Sequence, residues 1–526
     1  MAIDKLSASP GGALTSGENI SYWVDSIKPI EYETLKETIS TQVLVVGGGI
    51  AGLSTAYNAA KAGLQVVVVE DGFIGSGESG RTTAHITHAL DDRYTEIEKV
   101  FGEEGSRKAA QSHTAAIEWI ENVIAVENID CNFKRVDGFL FIHPSDTTDN
   151  LKEEFEAAQK AGLPVRWLDY VPGISAEGPC IQFPQQAQFH IMHYLEGLAK
   201  AIRRLGGKIY TSTHATDIDK RGAKCNAFRV TASHIVVATN SPVNDLVTMH
   251  TKQVPFRTYV IGAKVPKNSL NASLWWDTGD QDSKWFSAPY HYVRTQELDE
   301  NYDLLISGGE DHKTGQADDE GIPEENRFDA LIKWTKEHFP AMENVVYKWS
   351  GQVLEPLDHL AFIGRNPGDD NVYIITGDSG NGMTHGTIGG LIVSDIIQSI
   401  DNPWTEIYSP KRIPVKEART FIEETFKMAA QYADWVSKAD IHESNELGKN
   451  EGAILGKGLN RYAVYRDEQN LLHAYSARCP HLSCVVQWNA TEKSFDCPCH
   501  GSRFTKEGVV INGPAITDLK RIDIKE

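Results

Sequence analysis

This sequence lacks any long hydrophobic run. No stretch reaches the roughly 18 uninterrupted apolar residues of a membrane-spanning helix. Its start, MAIDKLSASPGGALTSGENISYW, has neither the basic opening nor the apolar middle of a secretory signal. Both absences point to a cytoplasmic protein with no membrane span. Positive charge is in deficit as well: 51 lysines and arginines face 72 aspartates and glutamates, a net charge of −21. Nucleic acid and anionic membrane recruit basic patches, so neither is expected as a main partner. Cysteine is sparse. Of seven in 526 residues, four fall between Cys479 and Cys499, which suggests metal chemistry rather than a secreted disulfide framework. No internal repeat is evident. What is present is a globular composition, 41% hydrophobic and 23% charged, in a chain too long for one ordinary core, so two or three domains are expected.

The first informative stretch begins at Thr41. Strand QVLVVGG, helix IAGLSTAYNAAKAG and strand LQVVVVED make a βαβ unit whose continuous apolar strands suit a buried parallel sheet. Gly47-Gly48-Gly49-Ile50-Ala51-Gly52 places G-x-G-x-x-G between the first strand and the helix. Gly47 permits the tight turn, Gly49 lets a pyrophosphate approach the backbone, and Gly52 lets helix and strand pack closely. The helix N-terminus offers free N–H groups to phosphate. Glu70 ends the second strand, 18 residues after Gly52, where a carboxylate can accept from a ribose hydroxyl. A second unit of this kind, needed to bind a nicotinamide dinucleotide beside a flavin, is missing from the sequence. Electrons are therefore expected from an organic substrate.

Three further segments, GSGESGRTTAHITH (75–88), HIVVATNSP (234–242) and TGDSGNGMTHG (376–386), resemble the D-amino-acid oxidase-like superfamily of FAD enzymes. The resemblance covers roughly residues 41–400 and implies FAD as cofactor. It sets Ser79, Gly80, Arg81, Thr82 and Thr83 along the flavin's middle, with Ala215 on the adenine side and Ala238 and Thr239 nearby. Gly380, Gly382, Met383 and Thr384 would approach the ring. TTAH matches the T-T-x-H pattern of relatives in which the histidine carries flavin covalently, so His85 either bonds the flavin or hydrogen-bonds beside it. The implied reaction is oxidation of an amine or amino acid C–N bond. In this superfamily an arginine or tyrosine usually holds the substrate carboxylate, and Arg257, Tyr259, Tyr290, Tyr292 and Arg294 are candidates by location. His359 and His385 lie beside the flavin-facing segments as further catalytic candidates.

Near the C-terminus, Cys479-Pro480-His481-Leu482-Ser483-Cys484 and Cys497-Pro498-Cys499-His500-Gly501-Ser502 read C-x-H-x-x-C, a gap of twelve residues, then C-x-C-H-G-S. Thiolates of Cys479 and Cys497 suit one iron, and imidazoles of His481 and His500 a second. A mixed set of this kind also suits tetrahedral zinc. The two extra cysteines and the Gly513-Pro514-Ala515 triplet favour the cluster. The pattern resembles the Rieske [2Fe–2S] family across about residues 447–526. That resemblance implies a Cys484–Cys499 disulfide, a covering loop at Gly513-Pro514-Ala515, and a hydrogen bond from Ser502 to a bridging sulfur. Two departures stand out: Ser483 replaces a common glycine, and Phe504 replaces the tyrosine donor of high-potential relatives. A mononuclear iron site is not expected, because no two of the eighteen histidines are five or six positions apart.

The expected architecture is an α/β, Rossmann-like FAD-binding domain with an interleaved antiparallel β-sheet substrate lobe, followed by an all-β Rieske domain. Residues 1–40 form a lead-in, 41–414 the oxidoreductase (its lobe at about 250–350), 415–446 a helical linker and 447–526 the cluster domain. The expected partners are a small amine or amino acid and an electron acceptor, protein or quinone. Two other readings stay open: an electron relay without a small substrate, and a flavin oxygenase or demethylase fed by the cluster.

Overall fold

The computed structural model describes residues 17–244, 249–285, 287–316, 326–413, 439–457 and 460–524. The beginning of the lead-in and most of the expected helical linker lie outside them. A short helix, Tyr22–Asp25, opens the described chain, with Ser21 Oγ accepting from the Val24 N–H. Its anchor is Trp23, fully buried, whose indole N–H donates to the Thr82 carbonyl at 2.6 Å.

The first sheet has parallel strands Ile39–Val46, Val66–Val69, Lys208–Tyr210, Phe228–Val237 and Val372–Thr376. Antiparallel Phe362–Arg365 closes one edge. Val43–Val46 and all four residues of Val66–Val69 are buried, as expected of parallel strands covered on both faces. Helices Ile50–Lys61 and Gly382–Ile397 pack together over this sheet. Their approach is close because Gly386 and Gly390 face the first helix. A Cβ there would stand 2.8 Å from Ile50 Cγ2 and 2.6 Å from Ser54 Cβ.

The second sheet is wider than the sequence suggests. Strands Gln253–Pro266, Leu274–Asp277, Tyr292–Glu297, Tyr302–Lys313 and Val345–Pro356 are joined by Lys134–Phe141, Arg166–Leu168, Cys180–Gln188 and His85–Ile86. The expected antiparallel lobe is therefore a mixed sheet, since Leu274–Asp277 pairs in parallel with Lys134–Phe141. Local alternation marks a strand but does not say which distant strand it joins. Helix Arg327–His338 covers this sheet's outer face, closing a core that contains Trp275, Phe328 and Leu331.

Two small antiparallel sheets form the C-terminal part. One holds Glu451–Lys457, Asn460–Arg466 and Leu472–Ser476; the other holds Gln487–Asn489, Ser494–Asp496, Arg503–Thr505 and Val510–Asn512. Phe495, Phe504 and the sulfurs' neighbours Val485 and Val486 pack between them.

Candidate functional site

The turn after strand Ile39–Val46 is built for close backbone approach. Gly47 has φ 113°, and a Cβ on it would lie 2.3 Å from the Ala238 carbonyl oxygen. A Cβ on Gly52 would lie 2.0 Å from the Gly47 carbonyl oxygen, so the helix descends hard against the turn. Gly49 caps that helix without a side-chain bond, and the Ile50 N–H donates to Ser79 Oγ at 3.0 Å. Glu70 Oε2 accepts from the Gly48 N–H at 2.5 Å and Oε1 from Gly72 N–H at 2.9 Å. Burial raises this carboxyl above the usual carboxylate range.

This turn opens on a long cavity. Gly47, Gly49, Ile50, Ala51, Glu70, Ser79, Arg81, Thr82, Thr83, His85, Ala215, Ala238, Thr239, Gly380, Gly382 and Met383 all line it. Gly52, Gly80 and Thr384 stand behind the wall. Gly80 presses on the Gly75 carbonyl, and Thr384 Oγ1 pairs with His113 Nδ1 at 2.8 Å. His85 sits between Thr83 Oγ1, 2.9 Å from Nδ1, and the Val293 carbonyl, 3.3 Å from Nε2. Burial and nearby Arg294 push its pKa down to about 3, so the ring is neutral.

Of the catalytic candidates, Tyr290, Tyr292 and His385 line the cavity. Tyr290 Oη donates to Asp91 Oδ2 at 2.5 Å, and Tyr292 Oη lies 2.5 Å from Thr258 Oγ1. His385 bridges the Asp378 carbonyl at 2.8 Å and His113 Nε2 at 3.2 Å, and burial lowers its pKa to about 4. The other four candidates stand elsewhere. Arg294 is buried and donates to the Ala84 and Phe189 carbonyls at 2.8 and 3.1 Å. Tyr259 pairs with His312 at 3.0 Å inside the second sheet's core. His359 pairs with Asp92 at 2.9 Å, which raises its pKa to about 9 against the effect of burial. Arg257, fully buried, donates to Ser350 Oγ at 2.6 Å and lies 3.8 Å from Glu492 of the C-terminal part. Sequence reasoning missed the lining acids Asp91, Asp311, Glu355 and Asp378 and the aromatic Trp276. The one available hint was the Asp91-Asp92 pair ending an otherwise uncharged run after Arg81.

In the C-terminal part, Cys484 and Cys499 form a disulfide with Cα atoms 6.4 Å apart. The sulfurs of Cys484, Cys497 and Cys499 lie within 4.8 Å of one another, but two of these three are consumed by that bond. Cys497 and Cys479 are left as the thiols of the site, hydrogen-bonded to each other. That bond, the backbone N–H of His481 and the Ser502 hydroxyl pull the Cys479 sulfur below the ordinary thiol range. The rings of His481 and His500 stand 4.9 Å apart, and burial pushes His500 down to about 3, leaving the neutral form a ligand must have. His500 Nδ1 is buried and takes no hydrogen bond. Ser483 adopts φ 70°, the left-handed conformation for which glycine is the easier residue.

The two parts meet over the cavity. Asn512, Gly513, Ala515 and Ile516 complete its lining beside Glu78 and Ser79. Asn512 Nδ2 donates to Glu78 Oε1 at 2.9 Å, and Gln352 Nε2 donates to the Gly501 carbonyl at 3.1 Å. His250 lies edge-on to His481 and His500, with ring centroids 5.0 and 6.1 Å away.

The residues present fit two groups. Glycines whose Cβ positions are already filled by backbone form a cradle for a dinucleotide pyrophosphate. Two thiols, two imidazoles and the orphaned ring nitrogen of His500 form the donor set of a two-iron centre. The sequence matches the description "FAD dependent oxidoreductase" over residues 42–396 and "Rieske [2Fe-2S] domain" over residues 437–523. It is similar to the Rieske 2Fe-2S iron–sulfur protein YhfW of Bacillus subtilis (strain 168), 29% identical with 96% of this chain and 97% of that one covered. It is also similar to gamma-glutamylputrescine oxidoreductase of Escherichia coli (strain K12), 27% identical over 80% of this chain and 98% of the relative. In fold it resembles glycine oxidase from Geobacillus kaustophilus, TM-score 0.57 and 17% identity, over 71% of this chain and 99% of that one. Two-thirds of the chain thus carries the signature of a single flavoenzyme group, and the protein belongs to the FAD dependent oxidoreductase (DAO) family, with a Rieske [2Fe–2S] domain at its C-terminal end.

Proposed function

We propose that the chain oxidises the C–N bond of a small amine or amino acid at FAD and hands the electrons to its own [2Fe–2S] cluster, from which an external acceptor collects them. FAD supplies two-electron oxidation, and the cluster carries one electron at a time. In this reading the pyrophosphate lies on Gly47, Gly49 and the N-terminus of helix Ile50–Lys61, whose dipole stabilises negative charge. Cys479, Cys497, His481 and His500 hold the cluster. A substrate ammonium first gives up an N–H proton; a hydride then leaves its α-carbon, C–N becomes C=N, and water splits the iminium into a carbonyl compound and ammonium. The chain's residues orient the substrate, exclude water and accept the proton.

One observation carries the coupling of the two centres. Asn512, Gly513, Ala515 and Ile516, two of them from the triplet expected to cover the cluster, form part of the wall of the dinucleotide cavity. Electron transfer between bound groups falls steeply with distance, and a shared wall keeps that distance short. An anaerobic titration with a panel of amines and amino acids, followed by absorbance, tests the reading. Bleaching of the flavin bands and then of the cluster bands is expected. Bleaching by a protein reductant alone, with none from any amine or amino acid, contradicts it.

A further inference from the structure

The acids of the cavity outnumber its cations. Near Gly380, on the segment thought to face the flavin ring, a Cβ would lie 2.0 Å from Asp91 Oδ2 and 3.0 Å from Tyr290 Oη. Acid and phenol therefore stand directly against that turn. Asp311, Glu355 and Asp378 line the same cavity. Asp311 Oδ1 is buried and takes no hydrogen bond. Its side chain has a hydrogen bond with Thr258, as Asp91 has with Tyr290; burying a carboxylate is nevertheless costly, and burial is the main cause that raises both Asp91 and Asp311 to about 7.

The nearby cations are committed to other partners. Arg93 donates to the Leu90 and Asp277 carbonyls, and Arg327 to the Glu310 carbonyl. His291 is held between Asp277 at 2.8 Å and Glu310 at 3.3 Å. Arg294 serves backbone carbonyls. Among the described residues Arg81 is the sole arginine, and no lysine joins it, in the cavity lining; its guanidinium donates to the Asn19 carbonyl at 2.8 Å. A substrate carboxylate entering here would meet more acids than cations, the one lining guanidinium being buried and turned in part to the Asn19 carbonyl.

Part of the wall is aromatic. Trp276, Tyr290 and Tyr292 line it, the two tyrosine rings being 5.3 Å apart. His85 lies 5.7 Å from Trp276 and 6.0 Å from Tyr292. Aromatic faces attract cations and shelter alkyl carbons.

We propose that the substrate is an alkylamine that bears positive charge and no carboxylate, its ammonium held by Asp91 and Asp311 and its carbons lying along Trp276, Tyr290 and Tyr292. The inference rests on the amine-oxidation reading above. Asp91, packed against the Gly380 turn, is the carboxylate that takes the N–H proton before the hydride leaves carbon.

Two ligands of one shape and opposite charge test the site in the intact, cofactor-loaded protein. Calorimetric titration with tert-butylammonium, whose α-carbon carries no hydrogen and cannot be oxidised, is expected to show binding. Trimethylacetate, its anionic counterpart, is expected to show none. Asp311→Asn should weaken the ammonium by about tenfold, the loss of one charge-assisted contact. Anaerobic mixing then compares butylamine with norvaline, the same chain bearing an α-carboxylate. Faster flavin bleaching by butylamine is expected. Binding of trimethylacetate in place of tert-butylammonium, or faster bleaching by norvaline, overturns the proposal whether or not the variant folds. If tert-butylammonium binds while neither oxidisable ligand bleaches the flavin, the cation site stands and amine oxidation falls.

Discussion

A Cβ at Gly47 cannot be placed without displacing backbone, because the Ala238 carbonyl already occupies its position. Gly47→Ala is therefore expected to lower bound flavin by about tenfold or more, given both this overlap and the positive φ. Iron content should be unchanged, since Gly47 and the cysteine loops lie in separate parts of the fold. The flavin-to-iron ratio of the purified variant reads this directly. His85 makes a second case. Both of its ring nitrogens have partners inside the chain, Thr83 and Val293. FAD is thus expected to be held without a covalent bond, so acid precipitation should release all yellow colour to the supernatant. Fluorescence surviving in a denaturing gel would show otherwise. Asp91 and Asp311 give a third expectation. Each has a folded pKa near 7, raised by burial above the usual carboxylate value. Such a group contributes stability below its unfolded pKa and loses that contribution as pH rises through the folded value. Arg93 and the Tyr290 hydroxyl offset this at Asp91; Thr258, His291 and Arg327 do so at Asp311, against Asp92 and Glu310. A bound ammonium restores favourable charge to both. The gain in thermal midpoint from tert-butylammonium should accordingly be larger at about pH 8 than at about pH 5.5. Equal gains at the two pH values would count against these groups as its ligands.

At the level of elements, the contact between the cluster domain and the second sheet is a buried polar network. Glu492 bonds to Ser350 Oγ, lies 3.8 Å from Arg257, and accepts from the Asn19 N–H at 3.3 Å. Removing one member of a buried pair leaves the other charge uncompensated, at a cost of about 3 kcal/mol or more. Glu492→Gln should lower the thermal midpoint seen by calorimetry and slow cluster reduction after flavin reduction. An unchanged rate would mean that docking does not depend on this network. The same interface marks the boundary of what sequence reading reaches. Gly47–Gly52 and Cys479–His500 are legible because each places its chemistry within one short run of chain. Strand Lys134–Phe141 reads as part of no lobe, because its pairing with Leu274–Asp277 is decided by packing far along the chain. Arg257 looks like a substrate ligand from its position, yet its partner Glu492 arrives from another domain. Asp91 comes from a loop, Asp311 and Trp276 from two separate strands, and they share no motif. Only the fold brings them to one wall.

On the scale of the molecule, an α/β domain, a mixed-sheet lobe and a small cluster domain surround one cavity. None of the described helices is long and apolar enough to cross a membrane. The lobe supplies the acidic and aromatic wall, the α/β domain the glycine cradle, and the cluster domain the last stretch of lining. In the proposed function this arrangement gives the fusion its purpose: electrons leaving a substrate would cross only the wall between the two cofactor sites. The most direct test is freeze-quench electron paramagnetic resonance of the anaerobic, fully loaded protein mixed with butylamine and no other reductant. A Rieske signal with average g below 2 is expected to grow as the flavin absorbance decays. A flavin that bleaches while the cluster stays silent, although dithionite still reduces it, would contradict the claim that the two centres exchange electrons.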